Sequence, residues 1–272
     1  MHYSRRKFIA TAASGVAATA VTPMALAAKQ PEANHASSTM ESSRQVTPSE
    51  FIIFPWGGMP GAPANGPWGD LADIDHMMKD LFDCGFNTSG FTGAQNIRHI
   101  RNNQLAGILS VGINTNQEVT QEKADDTIRK VMESITDPED RKVVHAIYIR
   151  DEPNASLFPR LAIWSEAIKK QGVLPYINLF PDYAEPKRLG TKDYEEHLDQ
   201  YVEICDPPYI SYDNYSLFEG GRLDEDRFYG NIESIRHKSL QAGIPFWNVI
   251  LANAHFKYAE PSDATFAIQV YS

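Results

Sequence analysis

Short apolar runs rich in Val, Ile, Phe and Tyr recur along this chain, and stretches of helical period separate them. Runs of that composition read as buried strands. They predict strands at Phe51–Phe54, Phe86–Ser89, Gly107–Ile113, Val143–Ile149, Val173–Phe180, Tyr209–Tyr215 and Ile244–Leu251. Helices are predicted between them: Asp73–Asp83, Ala94–Gln104, Thr120–Ile135, Tyr194–Cys205 and Asp226–Gln241. Another follows the fourth strand, with Ser156 as its cap and Leu157, Leu161, Trp164 and Ile168 on one face. Ser262 caps a last helix carrying Phe266, Ile268 and Val270.

One strand begins about every 30 residues, the size of a βα unit. Seven such units predict an α/β fold of the (β/α)₈ barrel type. The count stops inside the seventh helix, at Ser272. The expectation is therefore a barrel truncated after its seventh βα unit, with closure by seven strands or by an eighth from elsewhere as alternatives. A doubly wound open sheet is the competing fold, and it gathers its ligand at one switch point.

The N-terminus departs from this pattern. Ser4-Arg5-Arg6-Lys7-Phe8-Ile9 is a twin-arginine pattern, followed by an Ala-rich apolar stretch and a small-residue cleavage site at Ala25-Leu26-Ala27. Residues 1–27 thus read as a twin-arginine signal peptide, and the expected location is periplasmic or secreted. The apolar stretch is too short and too rich in Ala and Thr for a spanning helix, so no membrane role beyond export is expected. Residues 28–48 are polar and Ser/Pro-containing, a flexible linker. That leaves 49–272 as the barrel domain.

Charge and cysteine content narrow the class. The net charge is −10, and without Arg5, Arg6 and Lys7 it becomes −13, from 22 basic and 35 acidic residues. So acidic a surface argues against nucleic acid as a partner. Cys84 and Cys205, each at the end of a predicted helix, are read as core residues, not a disulfide. There is no GxxxxGK[ST], GxGxxG helix start, GxSxG elbow or HExxH. Eight histidines without a cluster give no reason to expect a metal, and no cofactor is expected.

In a barrel the site lies at the carboxyl ends of the strands. Those ends carry Trp56, then Thr88 and Ser89, Asn114, Asp151 and Glu152, Asn178, and Tyr212, Asp213 and Tyr215. Trp247, Asn248, Asn253 and His255 complete the set. Aromatic rings, amides and carboxylates suit a saccharide, whose C–H faces stack on rings and whose hydroxyls pair with Asn and Asp. The plainer reading of Tyr148, Tyr176 and Trp247 is packing, and of Asp213 a structural acid.

Arg150-Asp151-Glu152-Pro153 after the fourth strand resembles the Asn-Glu-Pro motif of clan A glycoside hydrolases, the retaining (β/α)₈ enzymes that include β-galactosidases. The segments PYINLFPDY, ISYDNYSLFEG and IPFWNVILANAH are similar to those of exported bacterial barrels near that clan. The resemblance implies a glycosidase with Glu152 as general acid/base. Asp151 stands where the clan has Asn, a residue that holds a sugar hydroxyl. The clan's nucleophilic Glu ends the seventh strand, where this chain reads Asn248-Val249-Ile250-Leu251-Ala252-Asn253. Asp213, as nucleophile or as base for a water, is the best partner for Glu152, Glu260 is a weaker one, and an eighth strand could hold another. Asp151, Trp56, Asn178, Tyr212, Tyr215, Trp247, Asn248 and His255 are then expected to bind an oligo- or polysaccharide. The alternative is a carbohydrate-binding barrel without turnover, or an inactive fragment of such an enzyme. Sugar, linkage, stereochemical outcome and oligomeric state are left open.

Overall fold

The computed structural model describes residues 51–56, 74–254 and 256–272, all within one unit, Ser42–Ser272. The expected signal peptide, the linker, most of the loop after Trp56, and His255 lie outside the described residues.

Six parallel strands form one sheet in the order of the chain, except that a small hairpin intervenes before the last. They are β1 (Thr88–Thr92), β2 (Ala106–Ser110), β3 (Val144–Asp151), β4 (Leu174–Leu179), β5 (Ile210–Asp213) and, after the hairpin of β6 (Leu217–Phe218) and β7 (Arg222–Leu223), β8 (Phe246–Val249). Sequential parallel pairing with crossover helices is the topology of a βα barrel, not of a doubly wound sheet. The predicted first strand is an extended segment alongside β1, with Ile53 O accepting from the backbone N–H groups of Asn87 and Thr88. The approach is close: a Cβ on Gly90 would lie 2.6 Å from Pro55 O.

The sheet curls. Phe54, beside the first edge, and Trp247, on the last strand, have ring centroids 6.4 Å apart. Inside the curve sit Ile108, Ala146, Tyr176 and Tyr209, with Phe54, Phe91, Tyr148, Leu174 and Trp247 packed on them. Tyr176 is fully buried, and Tyr209 stacks on Trp247 at 4.1 Å. Among the described residues no strand lies between the 51–54 segment and β8.

The outer face of the sheet is covered by helices, and the larger core lies there. They are α1 (Ile74–Cys84), α2 (Ile97–Asn102), α3 (Gln121–Ser134), α4 (Pro138–Lys142), α5 (Phe158–Lys169), α6 (Pro186–Leu189), α7 (Tyr194–Cys205), α8 (Glu225–Ala242) and α9 (Asp263–Tyr271). Side-chain caps start several of them: Thr120 for α3, Asp137 for α4, Asp193 for α7, Asp224 for α8 and Ser262 for α9.

Some expectations change. Ser156 does not cap α5; it lies in a 3₁₀ turn (Ala155–Leu157) capped by Asn154, whose Oδ1 accepts from Ser156 N at 3.0 Å. Cys84 is exposed while Cys205 is buried, and both are free thiols. On α9 the face expected to be buried is largely open: Phe266 and Val270 are exposed and only Gln269 is buried. Gln269 instead clasps the backbone of Leu251, accepting from its N–H at 2.9 Å and donating to its O at 3.1 Å.

Candidate active site

Alternation along a strand decides which side chains enter the barrel mouth. On β4, Tyr176 points inward, so Asn178 does too; on β5, Tyr209 and Ser211 carry Asp213 inward. On β3, Ala146 and Tyr148 point inward, and strict alternation continues to Arg150 and Glu152. The strand breaks that rule. Tyr148 pairs with Tyr176 and Arg150 with Ile177, so two steps on β3 match one on β4. This bulge shifts the phase, and Asp151 becomes the partner of Asn178.

Asn178 joins the two aspartates. Its Nδ2 donates to Asp151 Oδ1 at 3.1 Å and to Asp213 Oδ1 at 2.9 Å. Its Oδ1 accepts from Ser211 Oγ at 2.9 Å, and Ser211 Oγ lies 3.1 Å from the Tyr176 hydroxyl. Asn178 is 1 % exposed and Asp213 7 %, whereas Asp151 is half-buried.

Glu152 is held differently. Its backbone is left-handed, φ 43°, and its N–H donates to Asn178 O at 2.8 Å. Its Oε2 accepts from the Arg188 guanidinium at 2.7 Å, and that guanidinium lies over the Phe180 ring. Arg188 is delivered by α6, which ends at Gly190 with φ +77°. Asn154 fastens this turn, its Nδ2 donating to Lys187 O and Arg188 O.

Burial raises all three carboxyls, and neighbouring negative charge adds to it at Glu152 and Asp213. Asp213 is pushed up to about 7, first by burial, then by the charges of Glu152 and Asp151, against the bond from Asn178. Burial also raises Asp151, with the Asn178 bond and the Arg150 charge opposing. Burial raises Glu152, Arg188 holds it down, and the Asp151 charge pushes it up. A carboxyl that keeps its proton near neutrality beside one that is more readily ionised is an acid–base pair in outline.

Aromatic rings flank the acids. On one side Trp56, 38 % exposed, meets Phe91 edge-on at 5.0 Å, and Phe91 lies 4.7 Å from Tyr148. Phe91 has φ 45° beside a register shift in β1, which turns its ring inward. On the other side Tyr183 accepts from Tyr215 N at 3.2 Å, Tyr215 lies 5.6 Å from Tyr258, and the Arg227 guanidinium covers Tyr183. A buried network under that side was not anticipated from the sequence. Asn231 on α8 accepts from Asn214 Nδ2 and from Asp182 N, and donates to the Tyr194 hydroxyl. It ties the loops after β4 and β5 to two helices; the Asn and Asp residues in those loops were its only signal.

The expected site residues thus separate into groups. Asp151, Glu152, Asn178 and Asp213 come together, and Trp56 and Tyr215 flank them. Tyr212 does not join: it is fully buried on the outer face, its ring 6.4 Å from Phe246. Trp247 lies deeper, stacked on Tyr209 and on His145 at 5.8 Å. Asn248 shares the outer phase of Tyr212, its register partner. Thr88 and Ser89 are fully buried, Asn114 closes its own turn on Asn116 N, and Glu260 is exposed. A surface hollow of about 640 Å³ lies elsewhere, among Asp125 and Arg129 of α3 and Lys170 just past the end of α5. Among the described residues no three His, Cys, Asp or Glu side chains are grouped to hold a metal.

No protein-family model matches this sequence, and no curated protein matches it. Solved structures do resemble the chain. A family 51 alpha-L-arabinofuranosidase from Bifidobacterium longum is 10% identical over 75% of this chain and 56% of its own, with a TM-score of 0.45. A chitinase from Chromobacterium violaceum is 11% identical over 66% and 65%, with a TM-score of 0.40. A 3-dehydroquinate dehydratase from Geobacillus kaustophilus is 7% identical over 73% and 87%, with a TM-score of 0.41. Glycosidases and a dehydratase stand side by side in this group, so the likeness is one of architecture and carries no chemistry.

Proposed function

We propose that this chain is an exported glycoside hydrolase, cleaving O-glycosidic bonds with the carboxyls gathered at the ends of β3 and β5. One observation carries the reading: Asp213, buried and raised to about 7, shares the Asn178 amide with the more exposed Asp151 between two aromatic walls. An acid that holds its proton near neutrality can protonate a leaving oxygen, and a neighbouring carboxylate can serve the anomeric carbon. Trp56 and Tyr215 supply faces for sugar rings. Glu152, the acid/base implied by the motif, stands close enough for its charge to raise Asp213.

The test is turnover. The purified protein is incubated with a panel of aryl glycosides and natural oligosaccharides, in parallel with Asp213→Asn. Hydrolysis that falls at least about a hundredfold in the variant supports the reading; equal rates refute it. Export is tested separately, by the N-terminus of the protein recovered from cells. A start beyond Ala27 supports it, and an intact Met1 refutes it.

The second reading is a carbohydrate-binding barrel without turnover. The ion pair that occupies Glu152 favours it, as does the lack of a carboxylate in β8 (Phe246–Val249). It predicts saccharide binding by calorimetry with no product after long incubation.

A further inference from the structure

We infer that Asp151 and Asp213, spaced by the single amide of Asn178, are the working carboxyl pair, with Asp151 as nucleophile and retention at the anomeric carbon. This rests on the glycosidase reading and goes beyond it by choosing among three adjacent acids.

The spacing comes from the amide. The two N–H bonds of a planar carboxamide diverge by about 120°, so oxygens bonded to both stand about 5 Å apart. Asp151 Oδ1 and Asp213 Oδ1 are bonded in this way to Asn178 Nδ2, at 3.1 and 2.9 Å. Ser211, donating to Asn178 Oδ1, fixes which way the amide faces. Retaining glycosidases hold their carboxyls about 5 to 5.5 Å apart, inverting ones about 6.5 to 9.5 Å, to admit a water. The Asn178 spacer matches the first range.

Orientation selects the same pair. The bulge in β3 turns Asp151 into the phase of Asn178 and moves Glu152 out of it. Glu152 is engaged by Arg188, and its left-handed backbone is tied to the Asn178 carbonyl. Its charge still reaches Asp213 and raises that acid. Asp213 is the most buried of the three acids and suits the proton donor. Burial raises Asp151 as well, but the Asn178 bond and the Arg150 charge oppose it and it is more exposed than Asp213, so it suits the ionised partner.

The steps balance. Asp151 bonds to the anomeric carbon as the bond to the leaving oxygen breaks, and the Asp213 proton passes to that oxygen. Water then attacks the anomeric carbon and gives a proton to Asp213, and the ester to Asp151 breaks. The net change is one water added across the glycosidic bond. Asn178 is a positioning residue, since it touches the carboxyls and not the reacting atoms.

The test uses the full chain. A panel of 2,4-dinitrophenyl glycosides first identifies the sugar that the parent hydrolyses. The matching 2-deoxy-2-fluoro glycoside is then added, and the labelled peptide is sequenced by fragmentation mass spectrometry. Proton NMR follows the anomer released first. The expected result is a sugar ester on Asp151 and a retained first product. Asn178→Ala is expected to lower kcat at least tenfold with little change in KM, and Asn178→Gln not to restore it, because the longer side chain moves the amide. Label on Glu152 or Asp213, or an inverted first product, overturns the pair and leaves the glycosidase reading intact. Failure of the parent to hydrolyse any glycoside in the panel or any natural saccharide overturns that reading and the pair with it. Trapping is done on the parent protein, so the outcome does not depend on a variant's folding.

Discussion

Asp151 and Asp213 come from strands that do not touch, yet both are bonded to one nitrogen of Asn178 on the strand between them. The arrangement gathers negative charge around a buried acid, and burial together with that charge raises Asp213 well above the usual carboxylate range. A free aspartate ionises near 3.8, and Asp213 near 7. Below the lower value both folded and unfolded chains carry the proton, and the group adds no pH dependence. As pH rises from 4 to 7 the unfolded chain loses it first, so stability falls, on the order of 4 kcal/mol in all. Asp213→Asn keeps the shape of the protonated acid and lacks this loss. Urea melts from pH 4 to pH 8 are expected to show the variant gaining on the parent as pH rises. Parallel curves would contradict the assignment.

Glu152 is expected to tune the acid. Its charge raises Asp213, so Glu152→Gln lowers the pH at which Asp213 ionises. The freed Arg188 guanidinium acts in the same direction. The alkaline limb of kcat/KM should therefore move toward acid by about one unit, while the rate at the optimum stays within about tenfold of the parent. A collapse of rate at every pH would mark Glu152 as a reacting group instead.

Gly190 bears on the same acid from a distance. With φ +77°, it ends α6, and a Cβ there would collide with Asn154 Oδ1. Gly190→Ala should destabilise the fold by about 1–3 kcal/mol, through backbone strain and loss of the Asn154 clasp. Chemical denaturation measures this, and an unchanged midpoint would show that the turn adapts.

Trp56 is half-open at the mouth, against Phe91 and over Tyr176. Trp56→Ala is expected to raise KM for an oligosaccharide about three- to tenfold, with kcat nearly unchanged, because ring stacking is worth about 0.5–1.5 kcal/mol. If KM stays constant and the protein melts earlier, the ring is packing only.

Much of the architecture was legible in the sequence. The 30-residue rhythm of apolar runs marked the strands, and α7 has the predicted ends, Tyr194 and Cys205. Local capping chemistry was readable in part: Ser262 caps α9 as expected, whereas Ser156 does not cap α5. Features that depend on distant partners were not. The helical period of α9 suggested a buried face, but burial needs an opposing surface, and Phe266 and Val270 meet little among the described residues. Tyr212 lies at the right strand end for a site, yet it turns outward, into the helix layer.

The sequence by itself determined the alternation of strands and helices and the set of acids at the strands' carboxyl ends, because both follow from local pattern and chain direction; the order of the strands came from the sheet. It placed Asp151 and Glu152 side by side and favoured Glu152 through the motif. Only the tertiary structure decided between their directions. One extra residue in β3, matched against β4, reverses the phase of the strand, and that match exists only once the two strands are paired. The amide that spaces Asp151 from Asp213 belongs to the strand between them, so the geometry of the pair was set by the folded sheet.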